Sequence, residues 1–240
     1  MKFYYDLHIH SLLSPCGDED NTPKNIAGMA QLCGINIIAL TDHNTAKNCP
    51  AFFSAARKHG LIPVAGRELT TSEDIHVVCL FEELDDAMAF DNYVGEYRLK
   101  IKNRPEIFGK QTVVDESDEP IDTVDDLLIN ATSISCDDVC EIVSSFNGIC
   151  YPAHIDRTSN GIIAILGTIP DVGFKFFELY DDENITKYSE EYSIPKERFV
   201  IDSDAHYLMD MRDSKSYFEF DCNECDEAAV RRALFEHFRR

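Results

Sequence analysis

Basic residues are scarce in this chain of 240 residues: lysine and arginine number 22, against 44 aspartates and glutamates, so the formal net charge is -22. This excess of negative charge argues against a broad, non-specific grip on the nucleic-acid backbone. A small anionic substrate remains compatible with the chain if bound metal ions supply positive charge locally.

The chain also lacks an apolar run long enough to span a bilayer. At the N-terminus, Asp6 and His8 appear before the apolar core of a signal peptide develops. The nine cysteines are an odd number scattered among apparent helices and strands, which is typical of reduced thiols. The one CxxC pair, Cys222 and Cys225, is weak evidence for zinc without a second pair. We therefore expect a cytoplasmic protein with no membrane association.

Strand-like and helix-like segments alternate along the chain. Strands are predicted at 3–9, 35–40, 61–65, 75–81, 149–151, 174–179 and 199–201, and helices at about 22–33, 50–59, 84–102, 135–147 and 227–238. This order predicts an α/β fold with a parallel sheet, either closed as a barrel or open and doubly wound. In both architectures the chemistry gathers at the carboxyl ends of the strands.

The acidic stretch VVDESDEPIDTVDD at 113–126 interrupts this alternation. It predicts a solvated surface insertion at about residues 110–130, with no place in the core, in a single domain that spans residues 1–240. By contrast, we expect the aromatic residues Phe176, Phe177 and Tyr180 to pack in the core and not to stack on bases.

Metal-binding residue types concentrate at the predicted strand ends. Six of the eight histidines lie at a strand end or in the adjoining loop: His8, His10, His43, His76, His154 and His206. Three carboxylates, those of Asp42, Glu68 and Asp204, occupy the same kind of position. One edge of the sheet would therefore collect at least six imidazoles and three carboxylates.

The opening motif DLHIHS illustrates how such residues reach one face. In a strand, successive side chains point to opposite faces, so Asp6, His8 and His10 would share one face, and Leu7 and Ile9 the other.

A dense cluster of buried carboxylates and imidazoles is tolerable chiefly when cations neutralise it. Mixed nitrogen and oxygen ligands suit zinc, manganese or iron. One ion with an open position takes three or four protein ligands, so nine candidates imply two or three ions that share a bridging carboxylate. Such a site polarises a phosphoryl oxygen and lowers the pKa of a bridging water. We therefore expect phosphoester hydrolysis with a metal-bound hydroxide as the nucleophile.

Six segments, DLHIHS, TDHN, AGREL, HVVCLF, PAHIDR and SDAH, resemble in order the motifs of the polymerase and histidinol phosphatase (PHP) superfamily, and the resemblance covers most of the chain. It implies a distorted (β/α)7 TIM-like barrel with a trinuclear metal site. One ion would be held by His8, His10, Glu68 and Asp204; a second by Glu68, His76 and His154, with Glu68 as the bridge; and a third by His43, His206 and an aspartate after His10. Asp6 and Asp42 would orient neighbouring imidazoles.

The segment that should supply the aspartate ligand of the third ion departs from the family pattern. Family members commonly have Ser-Asp-Gly soon after the second histidine, whereas here Ser14 is followed by PCGDED. Counting back from Pro23 favours Asp18 as the ligand, with Asp20 as the alternative. Cys16 also remains open as a ligand, although a small turn residue is the simpler interpretation.

Two arginines are candidates for substrate binding. Arg157, three residues beyond His154, is placed to reach a phosphate with a bidentate guanidinium, and Arg67 beside Glu68 is the second candidate. A surface ion pair is the alternative for both. We expect Glu68 and His206 to be catalytic, and His206 or a metal-bound water to protonate the leaving group.

Together these features predict a metal-dependent phosphoric ester hydrolase that uses two or three Zn, Mn or Fe ions. The expected substrate is a small phosphorylated metabolite or nucleotide, and the negative charge leads us to expect no long duplex nucleic acid. Three alternatives stay open: a 5′ to 3′ exonuclease on short oligonucleotides, an amidohydrolase, and a non-catalytic metal-binding PHP module. Against the amidohydrolase alternative, the sequence has no lysine at a predicted strand end that is suited to bridging two metals.

Overall fold

The computed structural model describes residues 1–213, 215–223 and 226–240, so Cys225 of the CxxC pair lies outside the described residues. The described residues form ten strands: β1 (Lys2–Asp6), β2 (Ile37–Leu40), β3 (Ile62–Thr70), β4 (His76–Phe81), β5 (Thr112–Val114), β6 (Pro120–Thr123), β7 (Ile149–Pro152), β8 (Phe177–Leu179), β9 (Phe199–Ile201) and β10 (Tyr217–Glu219).

The same residues form eight α-helices: α1 (Pro23–Leu32), α2 (Cys49–Lys58), α3 (Leu84–Tyr97), α4 (Pro105–Phe108), α5 (Val139–Ser145), α6 (Ile162–Leu166), α7 (Ile185–Tyr192) and α8 (Glu227–Arg239). Short 3-10 helices lie at Asp182–Asn184, Lys196–Arg198 and Leu208–Asp210. Within the described ranges, none of the helices combines the length and the apolar character that crossing a bilayer requires.

Helix α1 begins where the sequence predicts. The Thr22 side chain accepts a hydrogen bond from the Asn25 amide, and Pro23 occupies the first turn. Ile26, Ala27 and Ala30 then form the buried face of the helix, because residues three and four positions apart share one side.

Six strands form one sheet in the order β10-β1-β2-β3-β4-β7, and β8 and β9 form a separate parallel pair. Strands β1, β2 and β3 are parallel, whereas β4 is antiparallel to both of its neighbours. The prediction of a parallel sheet is therefore wrong for β4. The physical reason is the short turn between β3 and β4, closed by a hydrogen bond from the Thr71 amide to the Ile75 carbonyl, since a parallel pair needs a long crossover.

Single backbone contacts join the β8–β9 pair to the sheet on both sides. Ile9, after β1, forms a parallel bridge with Ala205, after β9. The Ile155 amide, after β7, donates to the Glu178 carbonyl in β8. The result is a mixed α/β fold with a curled sheet; the α/β class is confirmed, and the seven-stranded barrel stays a prediction.

Two hydrophobic clusters lie on the two sides of this sheet. The larger cluster packs one side against α1, α2, α3 and α5, and the smaller one packs the other side against α8. Leu7 belongs to the smaller cluster and Ile9 to the larger one, so they do not share a face as predicted. The alternation breaks because β1 ends at Asp6.

The acidic stretch forms a hairpin of β5 and β6, of which β6 is exposed and β5 is buried. Val113, Val124 and Leu128 pack on Leu13, in the loop that follows His10. Asn48 strengthens this attachment, because its side chain accepts from the Val114 amide and donates to Ser11 Oγ. The stretch is therefore not solvated along its whole length.

Arg67 lies in the core, where no substrate reaches it. Its side chain is wholly buried, and Nη2 lies 2.8 Å from Asp91 Oδ1. The guanidinium also lies over the Phe90 ring, 4.8 Å from the ring centroid. The structure therefore does not position Arg67 for the substrate binding that the sequence predicted, since neighbouring strand residues such as Arg67 and Glu68 point to opposite faces.

We expect Arg67→Met to lower the free energy of unfolding by about 3–5 kcal/mol, because it leaves the Asp91 carboxylate buried without its cation. Arg67→Met combined with Asp91→Asn should recover part of this loss, since asparagine still accepts from the Ala46 amide. Denaturant unfolding measures both variants.

The matched control is Arg57→Met, which removes an exposed arginine bonded through two nitrogens to Glu227. This change should cost about 1 kcal/mol or less. Equal losses for Arg57→Met and Arg67→Met would contradict a special role for the buried pair.

Candidate metal centre

The predicted ligands converge at one edge of the curled sheet. His8 and His10 follow β1, His43 follows β2, Glu68 lies in β3, His76 opens β4, His154 follows β7, and Asp204 and His206 follow β9. Because β4 is antiparallel to β3, the start of β4 lies beside the end of β3. His76 therefore reaches the same edge from the opposite chain direction.

The Glu68 carboxylate is the centre of the cluster and is only 1% exposed. Its Oε1 lies 2.8 Å from His76 Nδ1, 3.1 Å from His154 Nε2 and 3.4 Å from His8 Nε2. Its Oε2 lies 3.0 Å from His43 Nδ1 and 3.4 Å from His10 Nε2. One carboxylate thus faces five imidazoles through both of its oxygens, an arrangement that suits a bridging ligand.

The set predicted for the first ion is assembled. His8, His10, Glu68 and Asp204 each offer a ligand atom, and these atoms lie within 4.8 Å of one another. His8 Nε2 and His10 Nε2 are 3.3 Å apart, and Asp204 Oδ1 is 3.2 Å from His10 Nε2.

Hydrogen bonds at the far side of each ring determine which nitrogen faces the cluster. His8 Nδ1 lies 2.9 and 3.0 Å from the two oxygens of Glu178, so this nitrogen carries a proton and donates it. His10 Nδ1 donates to Ser14 Oγ, because the Ser14 hydroxyl itself donates to Asp42 Oδ1 at 2.7 Å. In both histidines, Nε2 is left to bind an ion or a proton.

Glu178, in β8, is a functional residue that the sequence interpretation missed. It is wholly buried, and besides holding His8 it accepts a hydrogen bond from the His154 amide. The available signal was a single acidic residue inside the apolar segment KFFELY.

The two aspartates expected to orient imidazoles differ in what they hold. Asp42 acts on His10 indirectly, through the hydroxyl of Ser14. Asp6 instead accepts from the backbone amides of Ser203 and His8, so within the described part of the chain it holds the main chain and is not hydrogen-bonded to an imidazole.

Two further groups of close ligand atoms overlap the first. One contains His43, Glu68 and His76, and the other contains His10, His43 and His206. The second predicted set had His154 in place of His43, and the structure brings both residues to Glu68.

Asp18 is not brought into any of the groups that the described residues form. Its carboxylate accepts a hydrogen bond from the Asp20 amide, and its own amide donates to the His206 carbonyl. Asp20, the alternative, is exposed. Cys16, in contrast, lines the same cavity as His43 and His206.

The cluster shifts the pKa values of its members. Burial alone lowers the pKa of His10, but the Asp204 and Glu68 carboxylates raise it to about 9. Burial raises the pKa of Glu68, but the surrounding histidines lower it well below its usual range. For His206, burial and the charge of His10 both lower the pKa, to about 3.

Several buried nitrogen and oxygen atoms of the cluster have no well-aligned hydrogen bond. They are Glu68 Oε2, Asp204 Oδ1, and Nδ1 of His43, His76 and His154. Such atoms are costly to bury unsatisfied. A divalent ion would satisfy several of them at once, and the nitrogen and oxygen donors suit Zn, Mn or Fe, so the residues present fit a metal centre.

The backbone at two of these residues is strained. His154 and Asp204 adopt φ values of 28° and 48°, in the left-handed region. Such conformations cost about 1–3 kcal/mol each and are concentrated at functional sites.

An open cavity of about 170 Å³ lies above the cluster, and Arg157 lines it. The Arg157 guanidinium is 35% exposed, pairs with Asp204 and lies 4.0 Å from the centroid of the Tyr180 ring. Arg212 lies over the same ring, at 4.7 Å. Tyr180 is 38% exposed, so the prediction of core packing is wrong for this residue, although it is confirmed for Phe176 and Phe177, which are buried.

Comparison with known proteins gives a family match and several similar folds. The profile of the PHP domain family matches residues 6–193. An uncharacterised protein of Methanocaldococcus jannaschii is 34% identical over 76 residues, which is 28% of this chain and 44% of that protein.

Endonuclease Q of Pyrococcus furiosus, a lesion-specific endonuclease, superposes with a TM-score of 0.62 at 20% identity, over 98% of this chain and 56% of that chain. Endonuclease Q in complex with a 27-mer duplex that has an abasic lesion at the active site superposes with a TM-score of 0.57 at 20% identity, over 87% and 50%. A protein of Bifidobacterium adolescentis, provisionally described as a metal-dependent phosphoesterase, superposes with a TM-score of 0.57 at 16% identity, over 95% and 96%.

At these identities the solved structures establish a shared fold. This chain spans about half the length of the two endonuclease Q chains. The prediction of only a small phosphorylated substrate, with long duplex nucleic acid excluded, is wrong, because proteins with this fold include an endonuclease solved with a duplex at its active site. The net charge of a whole chain does not describe the charge at one cavity.

We expect Glu178→Gln to weaken metal binding by about 10–100-fold, because it removes the charged acceptor that holds His8 Nδ1. Competition with a coloured chelator measures the affinity. The matched control is Glu183→Gln, a change at an exposed glutamate five residues later, which should leave the affinity unchanged. Equal affinities for both variants would show that Glu178 does not position the ligand.

Metal binding should release protons and strengthen as the pH rises from 7 to 9. The pKa values of His10 and His43 are raised to about 9, so both carry a proton at pH 7 that an ion must displace. The apparent affinity should rise about tenfold per pH unit for each displaced proton. Calorimetry in buffers of different ionisation enthalpy counts the protons.

His59→Gln, at the end of α2 and outside the cluster, is the control and should leave the proton count unchanged. An affinity that is flat between pH 7 and 9 would contradict displacement of protons by the metal.

Proposed function

This chain belongs to the PHP domain family, and we propose that it is a metal-dependent phosphoesterase, an enzyme that hydrolyses phosphoric esters. The observation that carries the proposal is the convergence of Glu68, Asp204 and the imidazoles, several of them without a hydrogen-bond partner, beneath an open cavity. Such a cluster would neutralise its charge by binding cations, and the cavity gives a substrate access to them.

We propose that two or three Zn, Mn or Fe ions occupy this cluster. His8, His10, Glu68 and Asp204 would hold the first, and Glu68 with His76 and either His43 or His154 would hold a second. Divalent ions bound there would supply a Lewis acid that polarises a phosphoryl oxygen and lowers the pKa of water.

The chain itself would position these groups and the substrate. Glu68 would bridge ions, which is the role that makes it catalytic. His206, whose pKa is lowered to about 3, would be neutral at physiological pH, which suits it to bind an ion and not to carry the proton for the leaving group. Arg157 would reach a phosphate oxygen when an ion takes its place beside Asp204.

For the substrate class we propose a nucleic-acid phosphodiester. The similarity of fold to endonuclease Q supports this choice. The surroundings of Arg157 support it as well, because Arg157, which lines the cavity, and Arg212 both lie over the exposed Tyr180 ring, and such rings stack on bases.

Residues 1–240 would form one PHP domain with an insertion at about 110–130, and the curled sheet with the β8–β9 pair would make a distorted (β/α)7 barrel. The cytoplasmic location stays a prediction from the sequence.

The test is a substrate panel with protein that has been stripped by a chelator and reloaded with Zn, Mn or Fe. The panel contains a 5′-phosphorylated single strand, a plain duplex, a duplex with an abasic site, a nucleoside monophosphate, a nucleoside 3′,5′-bisphosphate and histidinol phosphate. We expect metal-dependent cleavage of at least one nucleic acid. Glu68→Gln should lower the rate by at least about 100-fold, the order expected when several kcal/mol of transition-state stabilisation are lost.

Glu183→Gln again serves as the control and should retain full activity. Equal rates with and without metal would refute the proposed function. Hydrolysis of the small phosphates alone would refute the nucleic-acid substrate and leave the phosphoesterase intact.

A further inference from the structure

Cys16 lies at the part of the metal centre where the sequence departs from the family pattern. Of the segment 14–20, all of it within the described part of the chain, Cys16 is the residue that lines the cavity. It lines this cavity together with His43, which is only 3% exposed. His206 lines the same cavity.

The turn that carries Cys16 is held tightly on both sides. The Ser14 amide donates to the Ser11 carbonyl, and the Gly17 amide donates to the Ser14 carbonyl. A Cβ at Gly17 would lie 2.2 Å from the Ser11 carbonyl oxygen, so this position accepts only glycine. The Asp18 amide then donates to the His206 carbonyl, and Cys16 is thereby fixed between the segments of His10 and His206.

The third position lacks a ligand if it depends on histidines alone. His10, His43 and His206 have ligand nitrogens within 4.8 Å of one another. However, the His10 nitrogen that faces the cluster also belongs to the first group, and one imidazole nitrogen has a single lone pair and binds one ion. Once the first ion takes His10, the third position keeps His43 and His206.

The missing ligand should be an anion, because two neutral imidazoles bring no charge to balance a divalent ion. Neither Asp18 nor Cys16 belongs to the close group of His10, His43 and His206. However, Cys16 lines the cavity beside His43 and His206, whereas the Asp18 carboxylate is bonded to the Asp20 amide and does not line it. We propose that the Cys16 thiolate is the anionic ligand of the third metal position, together with His43 and His206. This inference rests on the proposed function, because it requires the metal centre.

A thiolate at this position changes which metal binds there. Thiolate is a soft ligand that favours Zn or Fe, whereas the carboxylate of the family pattern also suits Mn. The third position should therefore discriminate against Mn more strongly than the carboxylate-bridged positions do.

The test is cobalt substitution, because Co²⁺ bound to a thiolate has a charge-transfer band in the near ultraviolet that nitrogen and oxygen ligands do not produce. Metal-free protein is titrated with Co²⁺ under reducing conditions, and the bound metal is counted. We expect the band in the unmodified chain. Cys16→Ser should lose the band and bind less metal. Cys16→Asp should also lose the band, but it should bind as much metal as the unmodified chain and bind Mn more tightly. X-ray absorption of the zinc form should give a Zn–S distance of about 2.3 Å.

The matched control is Cys33→Ser, a partly exposed thiol outside the cavity, which should keep the band. Circular dichroism checks that each variant folds, and Cys16→Asp tests the ligand even if Cys16→Ser is unstable. Metal bound with no thiolate band would overturn this inference and leave the proposed function intact. Failure to bind any metal would overturn both.

Discussion

Two buried carboxylates require cations near them, and the rest of the candidate site is arranged around this requirement. Glu68 and Asp204 lie among imidazoles whose outer nitrogens are already bonded to Glu178 and Ser14, so the inner nitrogens point at one another and at the carboxylates. Without cations the two carboxylates would repel each other, and their buried charge would destabilise the edge of the sheet. Protons meet this need partly, because the two carboxylates raise the pKa of His10, and the metal ions that we propose would meet it more fully.

The topology of the sheet serves this cluster in a way that a regular parallel barrel would not. The tight turn between β3 and β4 reverses β4, so Glu68 near the end of one strand and His76 at the start of the next are close in sequence and in space. The separate β8–β9 pair then brings Glu178 behind His8 and Asp204 in front of it. Segments far apart in the sequence thus supply His8, the Asp204 carboxylate beside it and the Glu178 carboxylate that holds its ring.

The sequence predicted the members of the cluster because metal-binding side chains at strand ends are a local pattern. It did not predict Glu178, whose role depends on a contact with His8 across 170 positions. Arg67 shows the opposite case: its neighbour Glu68 faces the site, and strand alternation alone should have directed Arg67 to the core. Asp18 could not be placed, because the path of its loop depends on Gly17 approaching the Ser11 carbonyl, a contact that no spacing rule encodes.

The hairpin of β5 and β6 constrains how chains of this kind can vary in length. Its inner strand rests on Leu13 and reaches Ser11 through Asn48, and both residues belong to the loop that leads to Cys16. Homologues could lengthen or shorten the exposed tip at 116–117 at little cost, since loop tips tolerate insertions. A deletion that reached β5 would instead free the loop after His10, so evolution can edit the acidic outer strand while the inner strand is retained.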